Sequence, residues 1–381
     1  MSLPLSGQIS MAQIDDALAK STTGQLSLND TDARGLAKIL TQTISLSDFY
    51  GKVLNMTNDN GWFTGGFNVA TDITTHIVPL STVERLVFVS DTNTANVRGS
   101  LSSSQALGAS TFNNTDGWFR SSSVDRITFS QDTITAQHKF NLDGSWGSAG
   151  STDFSTYGWF AGGIYSPYGI MMPIMFFAEP YALANILSTV SKLTFAIDSN
   201  IPLIKGPLSV SREYLGSAST TTGAWFVGGL SDKTWQAGAY NNVTSLIDKI
   251  TYSSDLSVAS GRGPLQVWIT AVSSVQNSTN AWFIGLYGSI GLYSCFQRIT
   301  FSNDLVLSVT RGSLLIYAYN MSGSSNNTTD GWFAGGILND LNSGLMGRTT
   351  STINKLTFAT DTAQASVRGS LTIAKTGMSS V

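Results

Sequence analysis

The chain has 381 residues and carries 21 Lys plus Arg against 24 Asp plus Glu, a net charge of −3. It lacks the basic surface that binding a phosphate backbone requires, so no nucleic-acid partner is expected. Charged residues are only 12% and Gly number 37, which suits short strands and tight turns, and the lone Cys295 excludes an intrachain disulfide.

No cationic stretch followed by an apolar core opens the chain, so no secretory leader is expected. The most apolar stretch, 169–187, is broken by Pro173, Glu179 and Pro180, and no membrane span is expected there. Residues 1–53 carry a short repeat of their own: Ile9-Ser10-Met11, Leu26-Ser27-Leu28 and Ile44-Ser45-Leu46. Each Ser is followed three residues later by Gln13, Asp30 or Asp48, an approximate capping box, and each predicts the start of a short helix. Ile14, Ala17 and Leu18, then Leu36, Ile39 and Leu40, follow at helical spacing. So small a helical module has little core, and docking on the rest of the chain or on another protein is expected to stabilise it.

From residue 54 to 381 a fixed spacing recurs six times. It starts at Trp62-Phe63, Trp118-Phe119, Trp159-Phe160, Trp225-Phe226, Trp282-Phe283 and Trp332-Phe333. Downstream of each comes a cation (Arg85, Arg126, Lys192, Lys249, Arg298, Lys355) and, three residues on, an aromatic (Phe88, Phe129, Phe195, Tyr252, Phe301, Phe358). Three further on is Asp91, Asp132, Asp198, Asp255, Asp304 or Asp361. A second cation follows after seven more (Arg98, Lys139, Lys205, Arg262, Arg311, Arg368), then a Leu after three (Leu101, Leu142, Leu208, Leu265, Leu314, Leu371). Six copies of four strand-like pieces predict a mainly β fold, a six-bladed β-propeller of four-stranded blades. Strand a is placed from near the Leu, b on the Trp-Phe pair, c on segments such as 83–89 and d on segments such as 94–99. The six Trp are assigned to the core: each buries about 150–250 Å², worth about 4–6 kcal/mol as an upper bound.

From Leu to the next Trp the distance is 17 or 18 residues, and from the first cation to the Leu always 16. From Trp to the first cation it is 23, 8, 33, 24, 16 and 23, so the length variation sits in the b–c connection. Only ten residues follow Leu371; adding 56–61 restores the spacing to Trp62. The ring is therefore predicted to close with a shared blade, strand a from the C-terminus and b, c and d from the other end.

Twelve of the 21 Lys and Arg occupy repeat positions. They are placed at the strand ends near the b–c loops, with the Asp on the opposite rim. Two readings stand: a basic ring that attracts anionic polysaccharide, or pairing with a neighbouring blade's carboxylate or carbonyl. The b–c loops carry the candidate binding residues: Tyr165, Tyr168, Met171, Phe176, Phe177 and Tyr181 in the third blade, Trp235 and Tyr240 in the fourth, Tyr287 and Tyr293 in the fifth. Aromatics on loops of free length can stack on sugar rings or anchor a protein; those from Met171 to Phe177 can equally plug the hub. His76 and His138 are the only histidines, and no metal-ligand spacing occurs. Ser231-Asp232-Lys233-Thr234-Trp235 is a weak, single likeness to a sialidase Asp box. No catalytic residue, metal or cofactor is expected, and the chain is not expected to be an enzyme.

The segments Leu3-Pro4-Leu5-Ser6-Gly7-Gln8-Ile9-Ser10, Ser27-Leu28-Asn29-Asp30 and Ile44-Ser45-Leu46-Ser47-Asp48-Phe49-Tyr50-Gly51-Lys52 resemble the N-terminal module of virion proteins from tailed phages of cyanobacteria and marine bacteria. Repeats such as Ile353–Ala363 with Val367-Arg368-Gly369 resemble the kelch-like propeller repeats of phage fibre and tail proteins. The resemblance implies a virion component made in a host cytoplasm. Residues 1–53 would attach it to other virion proteins, and its propeller would contact a cell-surface glycan or protein. The rival is a purely structural virion subunit, with a polysaccharide-degrading enzyme third. No heptad run predicts a coiled-coil trimer, and homo-oligomerisation stays open.

Overall fold

A computed structural model of the chain describes residues 14, 59–69, 77–141, 145–165, 185–231, 242–287, 294–315, 318–326, 328–338 and 348–381. The helices expected over 1–53 lie outside these residues; Ile14 alone is described there, and it is buried. The repeats form six four-stranded antiparallel sheets, each in the order a-b-c-d. Strands b and c of the six blades run Asn60–Thr64 and Thr82–Val87, Asp116–Arg120 and Ser123–Thr128, Tyr157–Ala161 and Val190–Thr194, Gly223–Val227 and Ile247–Thr251, Asn280–Tyr287 and Cys295–Thr300, Asp330–Ala334 and Thr352–Thr357. The outer strands d are Asn96–Ser100, Gln137–Asn141, Leu203–Lys205, Ser260–Gly261, Val309–Ser313 and Ser366–Ser370. Because neighbours cover both faces of a blade, burial along strand c does not simply alternate, and in the first blade Val83 to Val87 are all buried.

Strand a begins later than the sequence placed it. It runs Ala109–Phe112, Ala149–Thr152, Gly216–Ser219, Ile269–Gln276, Ser322–Ser325 and, in the first blade, Ser379–Ser380. In five blades the repeat Leu instead follows strand d, buried at the start of the crossover to the next blade; Leu142 lies outside the described residues. The crossover reaches the axis through a left-handed residue at Leu107, Gly147, Tyr214, Ala271, Asn320 and Gly377, with φ between 49° and 67°.

Local chemistry sets the a–b turns, whose lengths barely vary. An Asn or Asp side chain accepts hydrogen bonds from backbone N–H groups two to four residues on: Asn113 from Thr115 and Asp116, Asp153 from Ser155, Thr156 and Tyr157. At the far end of strand b the Gly-Gly pairs take positive φ, 62° and 88° at Gly65 and Gly66. They turn the hairpin onto small inner sheets such as Phe67–Val69 with Ile77–Pro79, from which the long b–c loops depart.

The seam joins the two ends of the propeller. Phe63 and Thr64 pair with Ser380 and Ser379, and Trp62 and Val381 exchange backbone hydrogen bonds of 3.1 and 3.2 Å. The closing strand buries Met378 and Val381. Deleting 377–381 should therefore unpair one edge of the first blade, lower the melting temperature by more than ~5 °C and promote aggregation. Calorimetry and light scattering check this; an unchanged melting temperature contradicts the seam.

Candidate functional site

The repeat spacing resolves into one contact made six times between successive blades. Each Trp stacks on the c–d aromatic of the next blade: Trp62 on Phe129, Trp118 on Phe195, Trp159 on Tyr252, Trp225 on Phe301, Trp282 on Phe358 and Trp332 on Phe88, centroids 3.8–4.5 Å apart. The indole Nε1 donates to the Asp that follows that aromatic, over 2.7–3.2 Å: Trp62 to Asp132, Trp118 to Asp198, Trp159 to Asp255, Trp225 to Asp304, Trp282 to Asp361 and Trp332 to Asp91. The three-residue step is a 3-10 turn, as at Phe88–Ser90, which delivers ring and carboxylate to the same neighbour.

The cations complete the clasp. The first cation is the cross-strand partner of the Trp in its own blade, as Arg85 is of Trp62. It reaches the same Asp as the second cation: Arg85 and Arg98 reach Asp132, Arg126 and Lys139 reach Asp198, Lys192 and Lys205 reach Asp255. The same holds for Lys249 and Arg262 on Asp304, Arg298 and Arg311 on Asp361, and Lys355 and Arg368 on Asp91. Cations and Asp thus share the c–d rim, and the placement on opposite rims is corrected. Strand c is short, so its fourth residue already lies near the c–d end. Pairing with the next blade engages all twelve, which favours the structural reading of these cations. Burial works against the Asp255 anion, but hydrogen bonds from Lys192 and Trp159 and the charges of Lys192 and Lys205 outweigh it and hold this carboxyl below its ordinary value.

Three further ties were not read from the sequence. The residue before the first cation is often an acid or amide that caps the preceding blade's crossover: Asp125 accepts from Ser102 N and Oγ, Asp248 from Ser209 N and Oγ, Glu84 from Thr372 N and Gln297 from Gln266 N. Two of these acids hold fully buried cations, Asp248 with Arg212 at 2.8 Å and Glu84 with Lys375 at 3.3 Å. Burial lowers the pKa of both cations, and the partner carboxylate opposes that shift. The Gly after the second cation donates to the carbonyl of the clasped Asp, as Gly99 to Asp132 and Gly369 to Asp91; a Cβ on Gly369 would meet Asn93 O at 1.8 Å.

Along the axis the crossovers form a collar in which Leu107 N donates to Gly377 O, Gly147 to Leu107, Tyr214 to Gly147 and Gly377 to Asn320. Below it, Ser110 Oγ donates to Ser380 O, Ser217 to Gly150 O at 2.5 Å, Ser274 to Ser217 O and Ser380 to Gly323 O at 2.7 Å. Gly150 and Gly323 complete the six-membered ring where a Cβ would strike the neighbouring carbonyl at 2.0 and 2.1 Å. These strands line a cavity of about 160 Å³ with Ser, Thr and Gly, Gln276, and apolar residues that include Phe112, Phe154, Met321 and Met378.

The six repeat Trp are buried. Of the candidate binding residues, Tyr165 is half-buried on an inner strand paired with Asn185 and Ser145, and Tyr287 ends strand b of the fifth blade opposite Ile269. Tyr168, Met171, Phe176, Phe177, Tyr181, Trp235, Tyr240 and Tyr293 lie outside the described residues. His138 lies 3.5 Å from buried Asp125, and His76 is outside the described residues. Among the described residues no group of three or more His, Cys, Asp or Glu is placed to hold a metal. Glu213, in the fourth blade's crossover, is buried, and its Oε2 has no hydrogen-bond partner among the described residues.

No protein-family model matches the chain, and no curated protein does. Among solved structures it is similar to the structure of YjhT, at 11% identity and a TM-score of 0.57, over 72% of this chain and 86% of that one. That likeness carries the fold, a kelch-like six-bladed propeller.

Two measurements follow. Trp332→Ala should cost about 3–5 kcal/mol in denaturant unfolding, because it opens a cavity and removes the indole donor from Asp91; a loss below about 1 kcal/mol would contradict a clasping role. Burial raises the Glu213 carboxyl to about 8, so folding takes up a proton and stability falls as pH rises from about 4.5 to 8. Glu213→Gln should flatten that decline in melting temperature and raise the value at pH 9.

Proposed function

We propose that the chain is a virion protein of a tailed phage, a fibre- or tail-associated adhesin that does no chemistry. The observation that carries the reading is the difference between the two faces of the ring. The a–b and c–d turns are uniform and locked by Asx acceptors and clasps. The b–c connections range from 8 to 33 residues between Trp and cation. An exposed loop lengthens at small entropic cost, about 0.6 kcal/mol per doubling, so its length is free to follow a binding partner.

The chain enters the propeller on the uniform face, since Asn60 opposes Val87 at the c–d end of strand c. Residues 1–53 attach there to other virion proteins, while the aromatics of the b–c loops meet a host glycan or protein on the other face. The sequence resemblance at residues 3–10, 27–30 and 44–52 supports the virion setting, and the twelve paired cations favour aromatic stacking over charge as the means of recognition.

The test is the full-length protein on an array of bacterial capsular and outer-membrane polysaccharides. Binding to at least one, reduced tenfold or more by joint Tyr168→Ala, Phe177→Ala and Trp235→Ala with the melting temperature unchanged, is the expected result. Binding that survives the triple substitution overturns the site, and depolymerisation of the bound polysaccharide overturns the non-catalytic reading. No binding, together with b–c loops buried against neighbours in images of the particle, makes the chain a purely structural subunit.

A further inference from the structure

The axial cavity is a blind pocket. It stops at the collar, since none of the six collar residues lines it, and its floor is formed by Ser148, Leu215, Val272, Met321 and Met378. On the a–b side its lining reaches Phe112, Phe154, Gln276 and Ser325, all half-buried. It therefore opens on the uniform face of the ring, opposite the b–c loops. Its volume of about 160 Å³ matches the roughly 150 Å³ that admits a benzene-sized ring, and far exceeds what one water needs.

The wall offers both halves of a hydrogen bond. Trp62 and Val381 exchange both backbone bonds, so at the next pair, Phe63 and Ser380, the N–H and C=O of Ser380 point away from strand b, toward the axis. Ser110, Gly150, Ser217, Ser274 and Gly323 stand in the same register opposite the other repeat Phe residues. Four of these carbonyls, those of Ser380, Gly150, Ser217 and Gly323, accept a Ser hydroxyl from a neighbouring blade. The ring thus turns N–H donors, and hydroxyls with spare lone pairs, toward the axis. No Asp, Glu, Lys, Arg or His is among the described lining residues, so the guest that fits is neutral and carries donors and acceptors together.

The mouth adds two aromatic rings that the fold does not require. Phe112 stands where the third to sixth blades carry Thr152, Ser219, Gln276 and Ser325. Phe154 stands where the other a–b turns carry Asn114, Thr221, Ser278 and Asn327. In the described a–b turns Phe154 alone takes a left-handed φ, 67°, a conformation that strains a bulky side chain and is typical of residues held in place for a ligand. The two rings meet edge to face with centroids 5.7 Å apart. We infer that the axial pocket binds a single neutral sugar residue, which enters from the a–b face with its C–H face on Phe154 and Phe112 and its hydroxyls among those of the wall. A sugar ring has the size of the pocket, donors and acceptors around its edge, and an apolar face that packs on an aromatic. This site lies on the face opposite the loops and does not depend on what they bind.

Ligand-observed NMR of the full-length chain with the methyl glycosides of glucose, galactose, mannose and N-acetylglucosamine tests this, with glucuronic acid as the charged comparator. The expected result is saturable millimolar binding of at least one neutral glycoside, at one site per chain. Ser148→Met fills the floor with the residue that two other copies already carry there, Met321 and Met378, and should weaken binding at least tenfold. Phe154→Asn suits the left-handed turn and should weaken binding as much, with the melting temperature unchanged or raised. Thr221→Asn, in the matching turn of the fourth blade and off the pocket, should leave binding unaltered. The Phe154 variant keeps the test decisive if Ser148→Met folds poorly. No saturable binding by any of the four glycosides overturns the inference. So does binding that survives either substitution in a folded variant, or glucuronic acid bound as tightly as the neutral sugars.

Discussion

Everything in the ring depends on a carboxylate that one blade presents and the preceding blade grips. The clasped Asp residues are nearly inaccessible, and a bare carboxylate in that position would lose several kcal/mol of hydration. An indole N–H and two cations replace that water, while the aromatic three residues earlier lies flat on the same indole. A charge-assisted hydrogen bond is worth about 1.5–3 kcal/mol net and the stacking about 0.5–1.5 kcal/mol beyond burial. No member is useful without the others. Removing the Asp would leave an indole donor and two cations facing one another, and removing the Trp would leave a cavity beside a carboxylate. This is why cation, aromatic, Asp and second cation keep one spacing through six copies, and why each copy keeps its Trp although the distance from Trp to the first cation varies.

The clasp is directional, from each blade to the next, so an open array would end with one unused Asp and one unused Trp. Ring closure removes both ends at once. Trp332 reaches Asp91 across 241 residues of chain. The same junction is held by Lys375 in Glu84 and by the strand 379–380 against the strand carrying Trp62. Loop-closure entropy grows only logarithmically with chain length, so so long a closure costs little more than a short one, while the contacts it completes are worth a full interface. The three contacts lie at different heights, on the c–d rim, in mid-blade and near the b–c rim, so the seam is held along its length.

Much of the frame was legible because the clasp constrains residue type and spacing together. Trp, cation, aromatic, Asp, cation and Leu are each the chemically specific half of a contact, and specific halves survive as a pattern. The rim of the cations was misplaced because register fixes which residues face each other, while a six-residue strand leaves little to separate its two ends. Strand a was read too early because the repeat Leu looks like strand core when it is the buried first step of a crossover. Backbone contacts leave still weaker traces. A Ser stands four residues before the first cation in every copy, and in five of them its carbonyl receives the repeat Leu N–H, as Ser81 does from Leu101. Only the carbonyl is used there, so spacing alone gave no reason to select it. The axial collar is fainter still, since Leu107, Tyr214 and Asn320 share a left-handed φ and no side-chain property.

A frame this regular changes what irregularity means. Positions in the clasp cannot vary without loss of an interface, and positions in the a–b turns must supply an acceptor to the backbone. Differences between blades therefore concentrate where neither demand applies. Those places are the b–c connections, the solvent side of the c–d turns and the crossover position of Glu213, which is Thr270 and Thr376 in two other copies. A buried acid whose Oε2 has no hydrogen-bond partner among the described residues works against folding stability, and the copies with Thr at that position show that the fold does not need it. The repeat thus acts as an internal control: a costly residue in one copy, absent from its equivalents, is present for something outside the ring's own mechanics. Glu213 meets that test inside the ring, and b–c connections of unequal length meet it on one face.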